Sequence, residues 1–130
     1  LEENAGSELL TQIRANGFVH RSGNITYVLA QSYGFCWGGE RAIAMAHETR
    51  RFFPEGTIWC TNEIIHNPVV NSDLQKMGMG FIEQDKASGL KNFRVVNRGD
   101  VVLLPAFGAS VDEMAYLQAK GAMIVDTTCP

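Results

Sequence analysis

Apolar residues along this chain follow two rhythms, short continuous runs and stripes at helical spacing, and the two alternate over most of its length. Residues 5–17 read as a leading helix. Ser7 is its cap, Leu9, Leu10 and Ile13 form the apolar stripe, and Gly17 stops it. A polar connection, 16–24, follows. Residues 25–30 (ITYVLA) are rich in β-branched and aromatic side chains and are predicted as a strand. Residues 39–53 then repeat at helical spacing, with Ala42, Ile43, Ala46 and Phe53 on the inner side, and Pro54 ends the pattern.

The alternation continues. Residues 57–60 (TIWC) are a second short strand. Residues 68–77 are predicted as a helix: proline suits its first turn, Val69, Val70, Leu74 and Met77 pack, and Gly78 ends it. Phe81 and Ile82 suggest a short extra strand, and 85–92 (DKASGLKN) a loop. Residues 100–104 (DVVLL) form a near-continuous apolar run of the kind buried on both faces. Ser110 and Glu113 fit a capping box, with Val111, Met114, Ala115 and Leu117 as the apolar face behind it and Gly121 as the stop. Residues 122–125 (AMIV) close the series before DTTCP. The order βαβα(β)βαβ predicts an α/β fold, a three-layer open, mainly parallel sheet with βαβ crossovers.

Composition narrows the function classes. The chain has 130 residues, 45% hydrophobic and 19% charged, which suits one folded domain with a sizeable core. Eleven Lys and Arg against fourteen Asp and Glu leave a formal charge of −3, which argues against a nucleic-acid platform and an anionic membrane surface. No apolar run approaches the roughly 20 residues of a spanning helix. Three widely spaced cysteines make a poor disulfide framework and point to a reducing compartment. The chain opens on Leu1 and closes on Pro130 directly after a cysteine, so it is expected to be part of a longer protein.

Ligands of open α/β sheets bind outside the carboxyl ends of the strands. Four segments are expected to leave strands there: SYGFCWGG, TNEIIHNP, PAFGAS and DTTCP. They bring Cys36, His66 and Cys129 to one side of the sheet. The free N–H groups and dipole of a helix N-terminus favour a thiolate at Cys36, as a nucleophile or a metal ligand, whereas a lone cysteine is as often a packed core residue. Cys129 alone reads as structural, and together with Cys36 as half of a metal or cluster ligand set. Cys60 ends an apolar strand and reads as core. His66, before Asn67 and Pro68, suits an anion contact or a bond to its own backbone. Asn67 is expected to cap the helix after it. Glu63, His20 and His47 read as surface residues, Trp37 and Phe35 flank Cys36, and Phe107 and Gly108 belong to the same edge. Neither G-x-G-x-x-G nor a P-loop is present. A thiol enzyme with Cys36 as nucleophile and His66 as base remains open, as does a non-catalytic flavodoxin-like or receiver-like module. A receiver would need an acidic cluster where this edge offers Cys, His and Phe.

YGFCWGGERA, TNEIIHNPVVN, LPAFGASVDE and IVDTTCP, in that order, resemble the N-terminal part of the 4-hydroxy-3-methylbut-2-enyl diphosphate reductases, the LytB family. The resemblance runs from about residue 25 to 130, and four ordered motifs make it far more specific than any one. The PAFGA form and the Glu-Arg after the glycines resemble the branch from plants, algae and cyanobacteria.

The resemblance implies the following. Residues 1–24 are an N-terminal extension and 25–130 the first α/β domain, one lobe of a three-domain cloverleaf around a 4Fe-4S cluster. Cys36 and Cys129 match two cluster ligands, and a third cysteine lies outside this chain. His66 matches a histidine that binds the substrate diphosphate. The enzyme is an oxidoreductase of the non-mevalonate isoprenoid pathway. It removes a hydroxyl from an allylic diphosphate by two electrons and protons, giving isopentenyl and dimethylallyl diphosphates. A ferredoxin or flavodoxin-type donor supplies the electrons, and no nucleic acid or membrane takes part. A downstream glutamate handles the proton, so no catalytic residue is expected in this stretch, nor turnover by the stretch alone. The compartment is the plastid stroma in a photosynthetic eukaryote and the cytoplasm in a bacterium. Two positions depart from the wider family. Phe107 stands where many bacterial members carry a diphosphate-contacting histidine, and Gly39 where valine is usual.

Overall fold

The computed structural model describes residues 8–32 and 34–130, so the expected Ser7 cap lies outside the described residues. Two compact units divide the chain, the first ending at Gly34 and the second beginning at Phe35. In the first, helix α1 (Glu8–Ala15) leads into strand β1 (Val19–Ser22), which pairs antiparallel with β2 (Ile25–Val28). A two-residue turn, Gly23 and Asn24, joins them. Gly23 has φ 60°, the left-handed conformation such hairpin turns require. Leu9, Ile13, His20, Tyr27 and Val28 line an apolar cleft in this unit.

Two expectations are corrected here. The polar connection 16–24 contains a strand, and the 25–30 strand is half of a hairpin instead of a member of the parallel sheet. All four residues of β2 are exposed. A central parallel strand is covered on both faces and needs apolar residues throughout, which Thr26 and Tyr27 do not supply.

The second unit runs α2 (Trp37–Phe52), β3 (Ile58–Cys60), α3 (Pro68–Lys76), β4 (Met79–Phe81), a 3₁₀ turn (Phe93–Val95), β5 (Val101–Leu104), α4 (Val111–Ala119) and β6 (Met123–Asp126). Its four strands are all parallel, in the order β4-β3-β5-β6, with Ile58 opposite Met79 and Val101, and Val101 opposite Met123. The fourth place in the sheet thus belongs to β4, the strand expected only as a minor extra.

Strand β5 shows why the fold has three layers. Its side chains alternate between faces, and all four are buried. Val101 and Leu103 join Ala42 and Ala46 of α2 and Leu74 of α3 in one cluster. Val102 and Leu104 join Leu117 of α4 and Val96 in the other. The three-layer α/β arrangement expected from the alternation is therefore present. Cys60 is fully buried in the first cluster, and burial pushes its thiol up to about 12.

The helix caps follow the sequence. The Asn67 side chain accepts from the N–H groups of Val69 and Val70, and Ser110 and Glu113 form the reciprocal capping box of α4. Val69 and Val111, expected to pack, are 67% and 81% exposed. Both sit in the first turn of a helix, at the strand-end edge, outside the two core clusters. Ala115 is also exposed.

The strand order creates one special place. Helix α3 links β3 to β4 on one face, and α4 links β5 to β6 on the other. The direction of winding reverses between β3 and β5. The crevice outside the carboxyl ends of those two strands is where open α/β sheets bind ligands.

Candidate functional site

Helix α2 begins two residues earlier than its apolar stripe suggests, and Cys36 is its N-cap. The Cys36 backbone is extended, at φ −68° and ψ 160°, and its Sγ accepts from the Gly39 N–H at 3.4 Å. The sulfur thus meets one of the helix's otherwise unpaired N–H groups, as a serine or aspartate oxygen does elsewhere. The two glycines of the first turn are buried and are not equivalent. A Cβ on Gly38 would lie 2.2 Å from Sγ of Cys129 and 2.9 Å from its Cβ. A Cβ on Gly39 would meet Cys36 Sγ and Phe35 Cβ at 3.7 Å and Ile65 at 4.0 Å, ordinary packing distances. Gly38 is therefore the gap into which the second cysteine fits.

Cys129 is delivered by a tightly tied turn after β6. The Thr127 side chain is fully buried and its hydroxyl donates to the Leu104 carbonyl. The Asp126 carboxylate accepts from the Thr128 hydroxyl and from the Thr128 N–H at 2.9 Å. Those two bonds, the hydroxyl's first, hold the Asp126 carboxyl below the usual carboxylate range, and the Arg41 guanidinium adds to them. The Cys129 N–H donates to the Ala106 carbonyl at 2.8 Å, and the Ala106 N–H donates to the Ile64 carbonyl at 3.0 Å. The loops after β3, β5 and β6 are thus laced side by side beyond the ends of their strands.

The loop after β3 carries the imidazole. Ile64 is fully buried and anchors it. Asn71 of α3 shapes it, accepting from the Ile64 N–H at 3.3 Å and donating to the Ile65 carbonyl at 3.0 Å. His66 then stands with Nδ1 3.1 Å from Glu63 Oε2. Its ring stacks on Phe107 of the neighbouring loop, with centroids 4.7 Å apart and planes 9° from parallel.

The structure therefore gathers Cys36, His66, Cys129 and Phe107 at one edge of the sheet. Cys36 reaches it at the head of α2 and not, as expected, on a loop leaving a strand of this sheet. Both edge cysteines are exposed free thiols. Phe35 and Trp37 are 41% and 67% exposed, so neither is buried over Cys36. Among the described residues, no group of three or more His, Cys, Asp or Glu side chains is placed to hold a metal ion on its own. The two thiols can be at most part of a ligand set. Glu63, read from sequence as a surface residue, is exposed and also pairs with His66, a contact on a loop where spacing carries no pairing signal. Arg41, whose Nη1 donates to the Thr128 carbonyl at 3.1 Å, left no such signal either.

Fold and site together define an open α/β unit with two exposed thiols and an imidazole at the edge where its winding reverses. The chain belongs to the LytB family: the family model described as LytB protein matches residues 27–130. It is 56% identical over 130 residues to the 4-hydroxy-3-methylbut-2-enyl diphosphate reductase of Prochlorococcus marinus subsp. pastoris, covering all of this chain and 32% of that protein. It is 59% identical over 124 residues to the protein of the same name from Microcystis aeruginosa, covering 95% of this chain and 30% of that one. Among solved structures it is similar to the E-1-hydroxy-2-methyl-but-2-enyl-4-diphosphate reductase from Plasmodium falciparum. That match has 30% identity and a TM-score of 0.67, over 77% of this chain and 29% of the other. The chain spans about a third of the length of the curated relatives it matches. No helix among the described residues is long and apolar enough to cross a membrane.

Proposed function

We propose that residues 25–130 are the first lobe of a 4-hydroxy-3-methylbut-2-enyl diphosphate reductase. In this reading Cys36 and Cys129 are two of the three protein ligands of a 4Fe-4S cluster, and His66 binds the substrate diphosphate. The observation that carries it is the convergence of two exposed thiols on one two-glycine turn, with Cys129 seated where a Gly38 side chain would be. Thiolates are the ligands iron–sulfur clusters take, and both thiols here are free and exposed. The chain fits such a group as part of its ligand set, with a third cysteine supplied from beyond the stretch described.

When bound, the cluster would pass electrons singly to the substrate from a ferredoxin or flavodoxin-type donor. Overall, two electrons and two protons enter, an allylic C–O bond breaks, a C–H bond forms and water leaves. This chain's residues bind and orient. With Nδ1 facing Glu63, Nε2 is the ring nitrogen left to meet a phosphate oxygen. The α3 N-terminus, starting two residues later at Pro68, favours the same negative charge. Phe107 fixes the plane of the imidazole and gives the diphosphate an apolar neighbour where another histidine would give a charged one. His66 meets Glu63 and not Cys36, so a Cys36–His66 nucleophile pair has no geometric support. The cyanobacterial relatives support a photosynthetic origin, and with it the plastid stroma or a bacterial cytoplasm as the compartment.

The test is turnover of the full-length protein without oxygen, supplied with reduced ferredoxin and scored for both product diphosphates. A lost hydrogen bond to a charged phosphate is worth about 2 kcal/mol, so His66→Ala is expected to raise KM some tenfold or more. An unchanged KM would remove His66 from the diphosphate site.

A further inference from the structure

The two thiols sit on different elements, Cys36 on the head of α2 and Cys129 on the turn after β6, so their separation depends on what joins those elements. The turn itself is fastened to the sheet: Thr127 to Leu104, Cys129 to Ala106, and Thr128 to Asp126. None of these bonds reaches α2. Among the described residues, the hydrogen bond that does is made by Arg41, one turn into α2, from Nη1 to the Thr128 carbonyl at 3.1 Å. That carbonyl belongs to the peptide unit whose N–H is Cys129's own. Arg41 is half-buried, and its guanidinium lies 6.0 Å from the centre of the Trp37 ring. Gly38 sets how closely the turn can approach, and Arg41 draws it in.

We propose that Arg41 is a positioning residue that fixes the spacing of Cys36 and Cys129 by clamping the Cys129 peptide to the helix that Cys36 caps. The inference rests on the reading of those two cysteines as ligands of one cluster. A ligand pair must be held to within a fraction of an ångström by its supporting shell, and a charged donor on a backbone carbonyl is a strong form of support. Arg41 touches neither sulfur in this arrangement. Its action is on the peptide that carries one of them.

The experiment uses the full-length protein in its metal-free, reduced state. Dibromobimane, which joins two nearby thiols, is added briefly, and the Cys36–Cys129 bridged peptide is quantified by mass spectrometry. Cys60, sealed in the core, reports folding in each sample by remaining unmodified. Losing a charged hydrogen bond is expected to lower the bridged yield about fivefold or more in Arg41→Met, with Cys60 still protected, while Arg41→Lys keeps a donor and most of the yield. In the reconstituted protein, Arg41→Met is expected to alter the electron paramagnetic resonance signal of the reduced cluster, and Arg41→Lys to restore it. If Arg41→Met melts below the assay temperature, Arg41→Leu is read in its place with the same expectation. Wild-type bridging in the Met or Leu variant would overturn the proposal, as would a Lys variant no better than Met. A wild type that does not bridge at all would overturn it together with the paired-ligand reading, and a Cys36→Ser or Cys129→Ser protein that keeps its iron would locate the failure in that reading.

Discussion

Gly38 and Gly39 are neighbours with opposite demands. A methyl group on Gly38 would coincide with the Cys129 sulfur, whereas one on Gly39 would meet its surroundings at packing distance. Alanine is favoured over glycine inside a helix by about 1 kcal/mol. Gly39→Ala is therefore expected to leave iron content unchanged and raise the melting temperature by a few degrees. Gly38→Ala is expected to displace Cys129 and lower the iron retained after reconstitution. Equal iron in the two variants would contradict the seating of Cys129 on Gly38. At this scale, the sequence disclosed residue types but not contacts. Cys36, His66 and Cys129 stood out because thiols and an imidazole follow strand-like or helical runs at one edge. The difference between two adjacent glycines depends on a residue far along the chain, and the Arg41 bond likewise, so neither left a local pattern.

Elements were legible where their signals are local. The capping box of α4 and the Asn67 cap of α3 form as their spacing requires. The hairpin is less plain in the sequence, although Gly-Asn between two β-branched runs marks such a turn, because the stretch 18–24 is polar enough to read as a connection before the ITYVLA strand. Strand β4 was underrated because Met79–Phe81 is short and contains a glycine. The α4 cap makes a prediction with a sign. Burial opposes ionisation of Glu113, but bonds from Lys91 and Ser110 outweigh it and hold the carboxyl below its usual range. A depressed carboxyl stabilises the fold fully above the ordinary carboxylate range near pH 4, and that share is lost as the pH falls through the lowered value. Urea melts of the full-length protein are expected to weaken more steeply between neutral pH and about pH 3 in wild type than in Glu113→Gln. Ser110→Ala is expected to cost about 1 kcal/mol at neutral pH. Parallel pH curves for wild type and Glu113→Gln would contradict the role of the ionised carboxylate in the cap.

At the scale of the molecule, alternating strands and helices were enough to foresee a three-layer parallel sheet and the edge where its chemistry gathers. The position of the winding reversal was not foreseeable, since strand order is a matter of which strands meet in space. It lies between β3 and β5 and puts the His66 loop beside the Phe107 loop, with the Cys129 turn laced to the second. Membership of the LytB family and the convergence of the two thiols both support the proposal that this unit contributes two ligands to a shared cluster. The most direct measurement is made on the full-length protein purified without oxygen: iron and sulfide content with the Mössbauer spectrum, for wild type, Cys36→Ser and Cys129→Ser. The expected result is a four-iron cluster in wild type that is lost or degraded in each variant. A wild type that forms no cluster under reconstitution, or variants that both keep one intact, would contradict the assignment of Cys36 and Cys129 as its ligands.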